Sequence, residues 1–476
     1  MVPSRVQSRS DTYDSITTNG RLRSSRASSA SSQTPLLVSQ NQETSDSAIP
    51  PADYGKAAWL FLAGCFLTEG LIWGLPFSYG VFQQYYSTQP PFSSQPHNIA
   101  AVGTTTTGVI YFVSPVAVLA LQRWPYRRLL ITVLGLALIV IGLISASFAT
   151  CVSDLIVSQG VLYGIGGALL YNPFVFYLDE WFIARKGLAF GILWAGTGIG
   201  GMVVPVVMER SLGKYGFRTT LRMWAVAVFV LITPLIYLVK PRLPPPPKGT
   251  LRPLNLRFFR TGMFWILQVG NTIEGFGYFM PSIYLPTYAS TLLNLSSLHS
   301  ALLVSVLNLS SVAGTILIGY LTDHLHPTSV ILISALGSAL SVFLIWGFAL
   351  SMPLIYIFAL IYGIFAGGYA ATWTGCVSEI QRDAIEAETG VVLGMMAAGR
   401  GLGAVMSGPV SETLLGYGSW NLKGAYGNEY GTLIFFTGIT AVLGGFGALS
   451  RLRFRGVDEH ETMSTMDIRA LHEETR

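Results

Sequence analysis

Two stretches of the chain put an acid, an aromatic ring and a proline on one helical face. Glu69-Gly70-x-x-Trp73-x-x-Pro76-x-x-Tyr79 returns as Glu274-Gly275-x-x-Tyr278-x-x-Pro281-x-x-Tyr284, both inside long apolar runs. Acid, aromatic and proline at i, i+4 and i+7 share one side of a helix. A carboxylate in hydrocarbon costs about 2.5–3.5 kcal/mol on insertion scales, so it faces a cavity or a partner. Glu274 and Glu69 are therefore candidates for binding and releasing a proton. Each also reads as a structural donor, held protonated against Ser, Thr or Asn. Asn271, a further candidate for contacting a substrate, and Gln268 extend the polar stripe around Glu274. Arg400 is the one cation well inside a predicted span, and an always-charged guanidinium there needs an anion. That anion is a bound carboxylate or one of the two glutamates. Asn172, Asn308 and Trp373 also lie inside apolar runs, each open to a binding role or to interhelical hydrogen bonding. Trp73, Tyr278 and Trp373 offer aromatic surface to a bulkier ligand.

Other chemistry is excluded by spacing. Cys65, Cys151 and Cys376 form neither a metal pattern nor a disulfide framework. The glycine-rich run Gly196–Gly201 ends no strand, so it is no dinucleotide or phosphate loop. No catalytic group, metal or cofactor is expected, and the chain reads as a non-enzyme. Its hydrophobic share is 51% and its charged share only 11%, against roughly 25% charged in a soluble domain. The net charge of +5 is informative through its placement and is no nucleic-acid footprint.

Positioning such residues requires an all-α, polytopic membrane protein. Twelve segments reach the length that spans a bilayer, about 20 mostly apolar residues. They fall near 57–82, 100–121, 129–149, 155–178, 187–208, 221–239, 262–288, 299–321, 328–349, 352–376, 390–411 and 430–450. Helices follow because only helices or closed barrels satisfy the backbone in hydrocarbon, and these runs lack barrel alternation. The chain is also built twice. Gly187, Gly191, Gly196, Gly198 and Gly200 echo at one offset as Gly390, Gly394, Gly399, Gly401 and Gly403, and Glu209 returns as Glu412. Small residues four apart let membrane helices approach backbone to backbone.

The expected organisation is a disordered cytoplasmic tail over 1–55, a six-helix bundle over 56–239, a linker over 240–260, a second bundle over 261–450 and a tail over 451–476. The first segment is poor in apolar residues and rich in Ser and Thr, which disfavours folding alone. Arg23, Arg26 and the serines around them read as a kinase site or as a solvated basic tail. Pro244 to Pro247 would hold the linker extended. Lys240, Arg242, Lys248, Arg252, Arg257 and Arg260 put it at a cytoplasmic surface, as do Arg123, Arg127, Arg128, Arg185 and Lys186 in earlier loops. The opposite loops at 83–99, 150–154, 289–298 and 350–352 carry no Lys or Arg. Arg210, Lys214 and Arg218, in a loop after the fifth segment, violate this pattern. Both termini are expected in the cytosol, and Asn294, in Asn-Leu-Ser, is a candidate glycan acceptor close to the membrane.

Twelve helices in two similar halves resemble the major facilitator superfamily, and the motifs are similar to those of its monocarboxylate porter family. WFIARKGLAFGILWAGTGIGG (181–201) resembles that family's pattern around helices 4 and 5. GYFMPSIYLPTYA (277–289), followed by GYLTDHL (319–325), resembles its helix 7–8 pattern. The likeness covers roughly 53–450 and is greatest to fungal members, which include carriers linked to organic acids, riboflavin or secondary-metabolite efflux. Three departures stand out. The family's motif leading into helix 1 is reduced to DYGKAAW (53–59). Phe77 stands where animal members place a lysine, and Ser311 and Thr315 stand where they place an Asp and an Arg. Those family residues couple proton and monocarboxylate, so lactate-type symport is placed in doubt.

The resemblance implies alternating access, with helices 1, 4, 7 and 10 lining a central site. The leading expectation is a plasma-membrane secondary carrier of a small organic anion, linked to a proton on Glu274 or Glu69, with the anion on Arg400. The alternative is an efflux carrier of a bulkier secondary metabolite or vitamin-type substrate, favoured by Trp73, Tyr278 and Trp373. A non-transporting nutrient sensor would need a long signalling domain, which the expected tails do not provide. A channel would need a filter motif, and none is seen.

Overall fold

The computed structural model describes residues 50–94, 99–238, 240–243, 255–416 and 424–449. The expected tails and Pro244–Pro247 lie outside them. Among the described residues the chain is helical, with no strand. Ten helices are long and apolar enough to cross a membrane: α1 Lys56–Thr88, α2 Ile99–Arg123, α3 Pro125–Ala146, α4 Val152–Trp181, Lys186–Leu238, Leu298–His324, Pro327–Phe348, Met352–Asp383, Thr389–Gly416 and Gly431–Ala448. The 53-residue Lys186–Leu238 folds back at Gly216, whose φ of 73° leaves the helical region, into α5 (186–215) and α6 (217–238). Gly262–Thr291, α7, has the length of a span and carries Gln268, Asn271 and Glu274. The five that follow it are α8 to α12 in order. The twelve-span reading is consistent with this arrangement.

Three boundaries differ from the sequence expectation. Residues 83–88, expected in a loop, continue α1 past Ser78, because polar side chains such as Thr88 close onto the Gln84 carbonyl of their own helix. Hydropathy ends where lipid ends, but helical hydrogen bonding does not. For the same reason Arg210, Lys214 and Arg218 sit on helix ends around Gly216, not in a loop. α10 runs on to Asp383. Prolines inside helices, among them Pro115, Pro173 and Pro281, are tolerated because neighbouring helices re-satisfy the freed backbone groups.

The glycine echo is a packing echo. On α5, a Cβ at Gly200 would collide with the Gly70 backbone of α1. On α11, a Cβ at Gly403 would collide with the Gly275 backbone of α7. These two crossings are the same contact made twice. Two seams then join the first half of the chain to the second. Along α5–α8, Gly187 meets Gly319, Gly191 meets Thr315, and Gly201 meets Asn308. Along α2–α11, Val118 meets Gly390, Pro115 meets Gly394, Tyr111 meets Gly401, and Gly108 meets Val405. Both seams run from the face that bears the linker to mid-depth. Beyond them Gly213, Gly408 and Gly416 have open space where a Cβ would go.

Polar clasps close the linker face. The Asp323 carboxylate, at the end of α8, accepts from the backbone N–H of Gly187 (2.6 Å) and Leu188 (2.8 Å), an anion on the positive end of α5. Lys186 Nζ donates to Thr389 Oγ1 at 3.2 Å, and the Gln122 amide donates to Glu388. Asp53, just before α1, accepts from the N–H groups of Ile183, Ala184 and Arg185 and so pins the loop between α4 and α5.

Candidate functional site

Glu274 and Arg400 meet. Arg400 donates from one guanidinium nitrogen to Glu274 Oε2 at 2.8 Å, across the α7–α11 crossing that Gly275 and Gly403 make possible. Arg400 is 3% exposed and Glu274 5%. The guanidinium lies 4.0 Å from the Tyr278 ring centroid, so its other face is covered by aromatic surface. Glu274 packs its Cβ against Gly444 of α12. Of the two anions open to Arg400 in the sequence, the structure supplies the glutamate.

Glu69 has the equivalent place in α1 and a different environment. It is 1% exposed, its Cβ lies against Gly196, and Oε2 has no hydrogen-bond partner among the described residues. The indole N–H of Trp73 and the hydroxyl of Thr68 likewise lack partners there. Trp73 packs on Tyr111 of α2 with ring centroids 4.9 Å apart.

An aromatic bridge joins the halves on the linker side of these glutamates. Trp373 of α10 meets Trp194 of α5 edge to face, centroids 5.4 Å apart. The Trp373 indole donates to Asn271 Oδ1 at 2.9 Å, and the Trp194 indole donates to the Tyr171 hydroxyl at 3.1 Å. Asn271 also donates to the Met396 carbonyl at 2.7 Å, tying α7 to α11. Asn172 is a tie of the same kind: its amide donates to Ser114 Oγ at 3.1 Å and to the Ala168 carbonyl at 2.7 Å.

Asn308 donates to the Gly201 carbonyl of α5 at 3.4 Å and also lines a narrow cavity with Phe77, Tyr278, Ser311 and Tyr362. Phe77 and Ser311, two positions that the sequence comparison singled out as departures, leave the cavity uncharged. Thr315, the third, packs its carbonyl on Gly191 in the α5–α8 seam. Asn294 is exposed in the turn after α7. No group of three His, Cys, Asp or Glu side chains among the described residues is placed to hold a metal. Sequence reasoning did not single out Tyr111, Tyr171, Trp194 and Tyr362, since an aromatic residue in an apolar run has the look of ordinary core.

An all-helical chain with two seams between its halves and a buried ion pair at mid-depth has the build of a membrane carrier. The chain belongs to the major facilitator superfamily, whose profile matches residues 61–408. It is a multi-pass membrane transporter of a small molecule and not an enzyme. It is 28% identical over 335 residues to the fujikurins efflux protein of Gibberella fujikuroi, covering 70% of this chain and 72% of that one. It is 26% identical over 426 residues to an agnestins efflux protein of Paecilomyces divaricatus, covering 88% and 93%. The MFS transporter asaE of Aspergillus flavus is 26% identical over 408 residues, covering 85% and 89%. Among solved structures, the human organic anion transporter MFSD10 is similar in fold, with a TM-score of 0.60 at 12% identity, covering 82% of this chain and 98% of that one.

Proposed function

We propose that the chain exports a bulky, largely apolar metabolite across the plasma membrane, driven by protons entering in exchange. One observation carries this reading: the buried central cation is already neutralised, Arg400 by Glu274 at 2.8 Å under the Tyr278 ring. The residues around that pair that would meet a ligand are aromatic and amide: Tyr278 and Asn308 line the central cavity, and Trp73 and Trp373 would be uncovered as the halves part. Relatives named as efflux proteins for fujikurins and agnestins support the same reading. Glu69, with no cation on its carboxylate, is the group where gaining or losing a proton changes local charge most. Asn172 and Asn271 hold the frame. The two six-helix halves rock about this centre, and the linker face is cytoplasmic by its cations. Within the superfamily, the motifs favour a relative of the monocarboxylate porters.

The test compares cells with and without the gene. Loss of the carrier should leave a multi-ring, apolar metabolite in the cells and deplete it from the medium. An unchanged metabolite profile, with uptake of a labelled organic acid lost instead, would overturn the export reading.

That outcome would favour the second reading, a proton-linked carrier of a small organic anion. Its support is the same ion pair: a proton on Glu274 would release Arg400 to take a substrate carboxylate.

A further inference from the structure

A cavity of about 520 Å3 opens on the linker face, lined by none of the central residues. Small-molecule sites occupy roughly 300–1,000 Å3. One wall belongs to the first half of the chain and carries Tyr126, Phe176 and Tyr177. The other belongs to the second half and carries Ile385, Glu386 and Glu388, with Pro241 and Leu243 of the linker between them. Asp179, Glu180, Glu386 and Glu388 line the cavity together with Arg128; Glu388 accepts from Gln122 and is already partnered.

Arg128 is not available to an incoming anion. It is 8% exposed, 3.6 Å from Glu180, bonded through Nε to the Leu121 carbonyl at 3.2 Å, and lies 4.1 Å from the Phe176 ring centroid. Lys186 answers Asp179. Glu386, on the exposed rim, is met by the Asn255 amide and, among the described residues, by no cation. Next to it Ile385 stands 88% exposed, a large apolar side chain held over the opening. The Tyr126 ring, the apolar rim at Ile385 and the Glu386 carboxylate suit one class of ligand, since the Phe176 and Tyr177 rings already face Arg128.

We propose that this cavity binds an organic cation with a bulky aromatic body, and that the ligand clasps the two halves together on the linker face. Its walls come from both halves, and the seam contacts of Gly187 and Leu188 with Asp323 belong to the same face. A ligand shifts such an equilibrium only as far as it binds one arrangement more tightly, and a cation touching both walls does so. The site is independent of which substrate the centre carries.

The test uses the full chain in lipid nanodiscs, with tetraphenylphosphonium as the probe and its near-isosteric anion tetraphenylborate as the control. Cation binding should saturate, weaken as salt rises, and fall at least about fivefold with Glu386→Gln and with Tyr126→Ala. Ile385→Ser, at a solvent-exposed position, gives a second reading should either variant fold poorly, and it too should weaken binding. Trp73→Ala, in the central region but with its ring packed on Phe77 and Tyr111 of its own half, should leave binding unchanged. Saturable binding of the anion at equal strength, indifference to all three cavity substitutions, or loss with Trp73→Ala would overturn the site. Bound cation should also slow amide hydrogen exchange at residues 187–188 at least about threefold. Binding without that slowing would overturn the clasp.

Discussion

Glu69 and Glu274 occupy matching places in α1 and α7, each followed by a glycine on which a glycine of the partner helix packs. Their surroundings part company at one position. The residue of α11 equivalent to Thr197 of α5 is Arg400, so Glu274 has a counter-ion and Glu69, among the described residues, does not. Thr197 turns its hydroxyl back to the Trp194 carbonyl at 2.7 Å. One duplicated scaffold thus holds one neutral ion pair and one carboxyl group without a cation. The repeat fixes where a charge can sit, and a single substitution decides whether it is matched.

The ion pair is where breaking that comparison costs most. Removing one member of a buried pair costs about 3–5 kcal/mol. The two single changes should differ, because a carboxylate left alone can be neutralised by a proton and a guanidinium cannot. Glu274→Gln should therefore lower folded yield and melting temperature more than Arg400→Met. The double change should recover most of the loss, since it removes both charges. Size-exclusion profiles and thermal unfolding in detergent check this ordering. Equal stability in all three variants would mean that the pair does not anchor the α7–α11 crossing.

The glycine crossings should behave alike in both halves. Gly200→Leu and Gly403→Leu each force a side chain into a neighbouring backbone, a strain of about 1–3 kcal/mol or more. Surface expression should fall by similar factors for the two. A large fall for one alone would show that the halves share a sequence pattern without sharing its mechanics. At Gly213 and Gly416, where a Cβ meets nothing within 4 Å, the same change should be close to silent.

Much of this was legible in the chain. The spacing of Gly187–Gly200 and its echo gave away both the duplication and the close crossings, because backbone approach needs glycine and little else does. Arg400 announced its need for an anion, and Glu274 was one of the two kinds of partner expected. The aromatic bridge was not legible, since Trp194 and Trp373 meet only after two helices from different halves are packed together. Nor was the placement of Phe77 and Ser311 on one cavity. The role of Asn172 was open between binding and tying helices, and Asn271 read as part of the polar stripe beside Glu274; their hydrogen bonds to Ser114 and Met396 appear only once the helices are packed. Hydropathy also placed Arg210, Lys214 and Arg218 in a loop, because it senses lipid and is blind to helix that continues into water.

The smallest effect on stability, and the sharpest on function, is expected at Glu69. Glu69→Gln keeps shape and volume and removes a carboxyl group that no cation balances among the described residues, so the folded state should change by no more than about 1 kcal/mol. Glu274→Gln, at the matching position, strands a guanidinium. The same chemical change made twice should thus separate folding from function: the α7 variant loses protein, and the α1 variant keeps protein and loses drive. Vesicles carrying Glu69→Gln should still exchange substrate across the membrane at equilibrium, since exchange needs no net proton movement. They should no longer accumulate it when a pH gradient is imposed, because a side-chain amide neither takes nor gives a proton. Full pH-driven accumulation by the Glu69→Gln carrier would return the proton to the Glu274–Arg400 pair, and with it the reading in which a freed Arg400 binds an organic anion.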